Sequence, residues 1–383
     1  MGPAFPESEH RERLDRARQA LRRAGLDGCI CIAPEHLYYI GGYDAHTHFS
    51  EQGLVFTTGD DEPTLVIREV DEPLAHETSW VRDLRTYHFG SDNAAEIIAG
   101  VAKEKGILGK RVGVDLGTFA LPAAYALRLT KALGSTTIED ATNIIGELRL
   151  IKSPREQEYV REAARYANAG MEAALTMTRA GMTEIQLAAE IEYAIRSRGS
   201  DYSAMPTWVA TGPRTPGGHG LPTDRVLETG DLIHVEFAGA ARRYHCVAIK
   251  TYSLGEPSPR ARELCQVAKE SLLAGLEAIK VGGPVSASEE ASLRPLEKRG
   301  LAQYAPMRFG VGISAAYPPS WLDPLAIIRE SPYTFQPGMV FYLHTCLQLP
   351  QENIGILIGG SYLLTDQGPE QLDDGNPDLA VLT

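Results

Sequence analysis

The chain has 383 residues, enough for two or three domains that each bury a core, and its 43% hydrophobic and 23% charged residues are an ordinary globular balance. A formal net charge of -13 argues against nucleic acid or an anionic membrane as the main partner. No apolar run reaches the roughly 18 residues needed to span a bilayer. The polar N-terminus MGPAFPESEHRERLDRARQALRRAG lacks the apolar core of a signal peptide, so a cytoplasmic location is expected.

Residues 8–25 have helical periodicity, with Leu14, Ala17, Leu21 and Leu26 opposite a basic face. GCICIA (28–33), GLVFTT (53–58) and TLVIRE (64–69) read as strands, NAAEIIAGVAKEKG (93–106) as a helix, RVGVDLG (111–117) as a strand and FALPAAYALRLTKALG (119–134) as a helix. That alternation predicts an α/β domain over residues 1–150. Ser153-Pro154 with Glu156 and Glu158 marks a helix start and opens a second domain, 151–383. There follow a helix at 183–199, strands at 232–239 and 244–255, helices at 258–279 and 286–300, and strands at 339–349 and 354–365. This order predicts an α+β domain, without short-period repeats. The five cysteines (Cys29, Cys31, Cys246, Cys265, Cys346) are scattered and lie mostly in apolar segments. Cys29-Ile-Cys31 could be a metal or redox pair. Its spacing, one short of CxxC, and its apolar setting favour buried structural thiols.

Several groups carry chemistry. Glu236 interrupts the apolar strand LIHVEFAG, where burial would raise its pKa toward the range of proton transfer. The alternative is a solvent-facing acid, or one paired with Arg242 or Arg243. His219 lies in the Gly/Pro-rich TGPRTPGGHGLPTDR, suited to a base or hydrogen-bonding role on a positioned loop, or to plain exposure. That loop lacks the GxxxxGK[ST] pattern of a phosphate-binding loop. Tyr244 and His245 are strand neighbours, so only one should face a pocket. His344 is a polar residue in the apolar FYLHTC, either a satisfied core histidine or a pocket wall. Tyr317, Pro318, Pro319 and Trp321 read as an aromatic–proline loop that could pack on a small ring or merely on the surface. His46 and His48 in YDAHTHFSEQ suggest zinc only weakly, with no third ligand in view.

An ordered set of segments gives the chain a family resemblance. LRLIKSPREQEYVREAAR is followed by a His-Gly-x-Pro segment, a Gly-Asp turn, a strand pair ending in TYSLG, FGVGIS, QPGMVF and a TDQG hairpin. From about residue 10 to 370 the chain resembles the pita-bread family of peptidase M24, aminopeptidase P and creatinase. The resemblance implies a pita-bread catalytic domain behind a smaller α/β creatinase-like domain. It also implies a homodimer, in which the N-terminal domain of one subunit lies near the other's active site.

Family peptidases hold two metal ions with two Asp, one His and two Glu. The resemblance sets these positions on Glu236, Val247, Phe309, His344 and Gly359, so no metal or other cofactor is expected. In the metal-free creatinase branch a histidine base corresponds to His219. The guanidinium-holding glutamates fall on Ile249 and His344, which argues against creatine as substrate. VEFAGAARRYHC, GISAAYPPSW and GGYDAHTHFSEQ are similar to the ectoine hydrolase branch, whose active-site acid corresponds to Glu236. LIGGS (357–361) departs from that branch, lacking its acidic residues.

The expectation is a metal-independent hydrolase of a C–N bond in a small cyclic amidine, amide or guanidine-like compound. Glu236 and His219 are its acid/base or nucleophile pair, and His245, His344, Tyr244, Phe309, Tyr317, Trp321, Asp44, His46 and His48 bind substrate. A cyclase, lyase or isomerase in the same pocket, and a non-catalytic binding protein, are the alternatives.

Overall fold

The computed structural model describes residues 2–46, 49–306 and 309–383. Contacts divide the chain into two compact units, Met1–Arg149 and Leu150–Thr383. None of the described helices is long and apolar enough to cross a membrane.

In the first unit, α1 (Glu7–Arg23) leads into β1 (Gly28–Cys31), the short α2 (Pro34–His36), β2 (Gly53–Thr57) and β3 (Thr64–Arg68). Then come α3 (Glu72–Thr78), β4 (Asp83–Tyr87), α4 (Ala94–Glu104), β5 (Arg111–Val114), α5 (Ala123–Leu133), β6 (Thr137–Asp140) and α6 (Thr142–Gly146). Glu7 and Glu9 in the first turn of α1 and Arg22 and Arg23 in its last suit the helix dipole. The strands form one mixed sheet in the order β4-β3-β2-β1-β5-β6. Alternation along β1 sends Cys29 and Cys31 into the layer of Leu14, Leu21 and Phe56, and Ile30 into the layer of Val55, Ile98 and Tyr125. The helix expected from 119 begins only at Ala123, after the extended Pro122. The two outermost strands, DLRTY and TIED, were not predicted. Their charges disguise them in sequence and suit exposed sheet edges.

The second unit opens with α7 (Pro154–Met177) and α8 (Glu184–Ser197), then β7 (Trp208–Thr211), β8 (Leu232–Ala241) and β9 (Tyr244–Leu254). These are followed by α9 (Pro259–Glu277), α10 (Ser286–Glu297), β10 (Gly310–Tyr317), β11 (Ser320–Ile327), β12 (Val340–Leu349), β13 (Ile354–Thr365), β14 (Gly368–Gln371) and β15 (Val381–Leu382). Both opening helices carry a complete capping box, Ser153 with Glu156 and Thr183 with Gln186, so each start is fixed locally. The sheet runs β14-β13-β12-β10-β9-β8-β7, with β11 on β10 and β15 on β9. Residues of α7 and α8 share a core with Val235, Phe237 and Ala248, while residues of α9 and α10 share another with Phe341, Leu343 and Ile358. The expected aromatic–proline loop is a tight β10–β11 hairpin, in which Tyr317 pairs with Ser320.

Lys152, just before α7, meets Asp323 of β11 at 2.9 Å with both side chains fully buried. The ammonium also donates to the Leu150 carbonyl at 3.2 Å. Lys152→Met would strand the Asp323 charge, and the expected cost is about 3–5 kcal/mol. Urea denaturation of the variant measures it, and a Lys152→Met, Asp323→Leu double variant should recover much of the loss.

Candidate active site

The strand period of two decides which side chains meet on the sheet face away from the helices. In β8, Val235 and Phe237 enter the helix-side core, so His234, Glu236 and Ala238 point the other way. In β9, Cys246, Ala248 and Tyr252 go to the helices, and His245, Val247 and Ile249 face the open side. Glu236 is paired with Ile249 on one side and Trp208 of β7 on the other. In β12, Leu343 and Leu347 are helix-side, leaving Tyr342 and His344 on the face that holds Glu236.

The Tyr342 hydroxyl donates to Glu236 Oε1 at 3.3 Å, and the Tyr342 and His344 rings lie 5.0 Å apart. Trp208 stands 4.8 Å from the His219 ring and 5.6 Å from Trp321, which in turn lies 6.3 Å from His245. His219 is exposed, whereas Glu236, His234, His245, His344 and Trp321 are buried. A cavity of about 520 Å³ opens between α8, the 201–207 loop and Pro318, and reaches Ala238, two residues along from Glu236 on the same face.

Burial raises the Glu236 pKa from 4.5 to about 8, and the Tyr342 hydrogen bond offsets only part of that rise. Burial, then the adjacent Glu236, pushes the Tyr342 phenol well above its ordinary range. No arginine enters the balance at Glu236, which removes the Arg242 or Arg243 ion pair considered from sequence. Burial lowers His234 to about 3, with His219 and His344 adding in the same direction. Neither His234 ring nitrogen makes a regular hydrogen bond, although the Gly218 backbone is within electrostatic reach. His245 is lowered to about 4, chiefly by burial, and its Nε2 accepts from Ala204 N at 3.0 Å. That bond commits His245 to holding the 201–207 loop.

The structure thus gathers Glu236, His344, His219, Trp321 and His245, and adds His234, Tyr342 and Trp208, which sequence reasoning did not single out. His234 carried the same signal as Glu236, a polar residue two positions away in the same apolar strand. Two expected substrate residues are corrected. Tyr244 turns to the helices, donating to Glu156 Oε1 at 2.7 Å and stacking on Tyr159, because strand alternation gives the open face to His245. Phe309 packs its ring over Gly275 of α9, in the helix-side core, a place available only because Gly275 has no Cβ. Tyr317 is buried beside the Arg243 guanidinium, which lies over Tyr202 as well. Asp44 and His46 belong to the first unit, where the Asp44 amide donates to Thr78 Oγ1 and His46 packs edge-on to Phe49. His48 lies outside the described residues.

Residues 158–366 match metallopeptidase family M24, and residues 13–151 match the creatinase/prolidase N-terminal domain. The chain belongs to the M24 family, a family of hydrolases and peptidases. It is 28% identical to a hydrolase/peptidase of Sinorhizobium fredii, over 98% of each chain. It is 27% identical to the ectoine hydrolase of Halomonas elongata, over 97% of this chain and 96% of that one. The prolidase of Thermococcus sibiricus shares the fold, with a TM-score of 0.89 at 20% identity over 97% of this chain and 99% of that one.

The family name implies a metal centre, and the donors at the resembling positions do not fit one. Val247 is apolar, the Phe309 ring faces the other side of the sheet, and Gly359 pairs with His344 so closely that a Cβ would stand 2.1 Å from the Leu343 carbonyl oxygen. Among the described residues of this unit, no three His, Cys, Asp or Glu donors converge within 4.8 Å.

The native Glu236 carboxyl holds a proton that the unfolded chain gives up above about pH 4.5. This residue therefore costs no charge burial below that pH, and makes the fold progressively less stable as pH rises from 4.5 to about 8. Glu236→Gln should flatten that decline. In urea titrations the variant should gain on the wild type by a few kcal/mol between the two ends, at about 1.4 kcal/mol per pKa unit.

Proposed function

We propose that the chain is a metal-independent hydrolase that opens a C–N bond in a small cyclic amidine, amide or guanidine-like compound. The observation that carries the reading is Glu236. It is a buried carboxyl with a pKa near 8, hydrogen-bonded to Tyr342 and flanked by Trp208, with Trp321 beside that ring. Likeness to an ectoine hydrolase along nearly the whole chain supports the same reading.

A carboxyl with this pKa is present in both protonation states near neutral pH, as a single acid/base requires. The carboxylate takes a proton from water as the water oxygen bonds to the amidine carbon. The resulting carboxylic acid then returns that proton to the ring nitrogen as the C–N bond breaks. As the carbonyl forms, the adduct's hydroxyl proton passes to the released amine, so a protonated amidine and water give a ring-opened amide and an ammonium group, and Glu236 is again a carboxylate. Tyr342 holds the carboxyl in place. His234, neutral and with only a weak hydrogen bond to the Gly218 backbone, can offer its other ring nitrogen to the substrate. His219, exposed and tilted against Trp208, is suited to relay a proton between this face and solvent. The two indoles, packed edge to face, give an apolar wall suited to a small ring, and favour a cationic one.

Steady-state turnover of cyclic amidines should persist with chelator present and fall by about 10²–10⁴ in Glu236→Gln. The kcat/KM profile of the wild type should show a limb near pH 8, where Glu236 titrates. Tyr342→Phe should move that limb upward, because it removes the hydrogen bond favouring the carboxylate. Loss of activity on metal stripping, restored by Mn²⁺ or Co²⁺ and extending to Xaa-Pro dipeptides, would replace this reading with a metallopeptidase. Wild-type behaviour of both Glu236→Gln and His219→Ala would indicate a binding protein.

A further inference from the structure

The first unit contains a second cluster of reactive side chains that plays no part in the proposed chemistry. It lies at the C-terminal ends of the parallel neighbours β1 and β5. Cys31 is the last residue of β1, His36 closes α2, and Asp115 follows the end of β5. One donor atom from each lies within 4.8 Å of the others, and all three residues are buried, none more than 2% exposed.

Three observations point to a ligand. His36 Nδ1 and Asp115 Oδ1 face each other at 3.0 Å, yet neither makes a hydrogen bond of regular geometry. Asp115 is held by its other oxygen, since Oδ2 accepts from Ile32 N at 2.8 Å and Ala33 N at 3.0 Å. These bonds pin the carboxylate and direct Oδ1 toward the histidine, as outer-shell bonds orient a metal ligand. Cys29 Sγ lies 3.7 Å from Cys31 Sγ, outside the convergent group of three, and a side-chain rotation would bring it in as a fourth donor. Two thiolates on a tetrahedral zinc ion, with bonds of about 2.3 Å, stand about 3.8 Å apart.

We infer that Cys31, His36 and Asp115, joined by Cys29 when its side chain turns in, form a structural site for one divalent ion of the zinc class. Two sulfurs, a nitrogen and a single carboxylate suit zinc and its close analogues, whereas magnesium and calcium want oxygen-rich shells. The closed, fully protein-lined setting fits a structural ion with no position left for substrate. Binding releases two thiol protons as the sulfurs ligate, so the ion enters as the unit folds. The bland alternative is a His–Asp pair beside two core thiols.

The full chain, refolded from denaturant with zinc and washed with EDTA, tests the site by elemental analysis. One equivalent of zinc per chain should remain in this unit. It should be lost from Cys31→Ser and His36→Ala with unchanged circular dichroism. Glu236→Gln and His344→Ala should retain it, which separates it from any ion in the second unit. Refolding with Co²⁺ alone should give a thiolate-to-cobalt charge-transfer band that weakens in Cys29→Ser and in Cys31→Ser and disappears when both are replaced. Absence of that band in the wild type, or zinc content unchanged by the Cys31 and His36 replacements, would overturn the proposal. The wild-type cobalt spectrum decides the matter even if the variants fail to fold.

Discussion

Two side-chain hydroxyls hold β9 against β13, and the geometry of the candidate active site depends on them. Ser361 Oγ accepts from Val247 N at 3.0 Å and donates to the Val247 carbonyl at 2.8 Å. Thr251 Oγ1 does the same with Leu357, accepting and donating at 2.9 Å. β9 has only one ladder pair with β10, Ala315 with Tyr244, so these hydroxyls stand where backbone bonds would otherwise run. One side of the seam carries Glu236 and Trp208, and the other carries Tyr342 and His344. The contact between Tyr342 and Glu236 crosses it. Buried hydroxyls with both partners in place are stabilising, and each would leave an orphaned amide if removed.

The face around that seam is polar in kind and almost neutral in charge. Burial protonates Glu236 and deprotonates His234 and His245, so each sheds the charge that would be costly in an apolar setting. The second unit therefore keeps several hydrogen-bonding groups in a dry place without an arginine or lysine to balance Glu236. A substrate cation entering this face would draw the Glu236 proton off. On the proposed reading, substrate binding and activation of the carboxylate would thereby be one electrostatic event.

Much of this architecture was legible in the sequence, for local reasons. Ser153 and Thr183 declare helix starts through their own hydrogen bonds, and the long apolar strands at 232–239 and 339–349 declare themselves by composition. Glu236 stood out because a carboxyl in such a strand needs an explanation. The short charged strands β4 and β6 did not stand out, since edge pairing rather than side-chain pattern makes them strands. The segments of β10 and β11 do not declare themselves as strands, because their glycines and prolines break the pattern and β10 is completed by its long-range pairing with β12. Phe309 was misplaced for a similar reason. Its position in a motif fixes its backbone, while the bare backbone of Gly275, more than thirty residues earlier, draws its ring to the other side of the sheet. His234 gives the same signal more weakly than Glu236, since a neutral histidine in a core strand is common, though alternation puts both residues on one face.

Gly359 limits which side chains this face of the sheet can carry. With a Cβ at this position meeting the carbonyl of the neighbouring strand at 2.1 Å, no acidic side chain fits there while β12 and β13 keep their present register and geometry. Shifting that register by one residue would turn every side chain of β13 to the opposite layer. A carboxylate at this point would thus need a movement of backbone as well as a substitution. The walls around Glu236 can be varied far more readily than a side chain can be added at position 359.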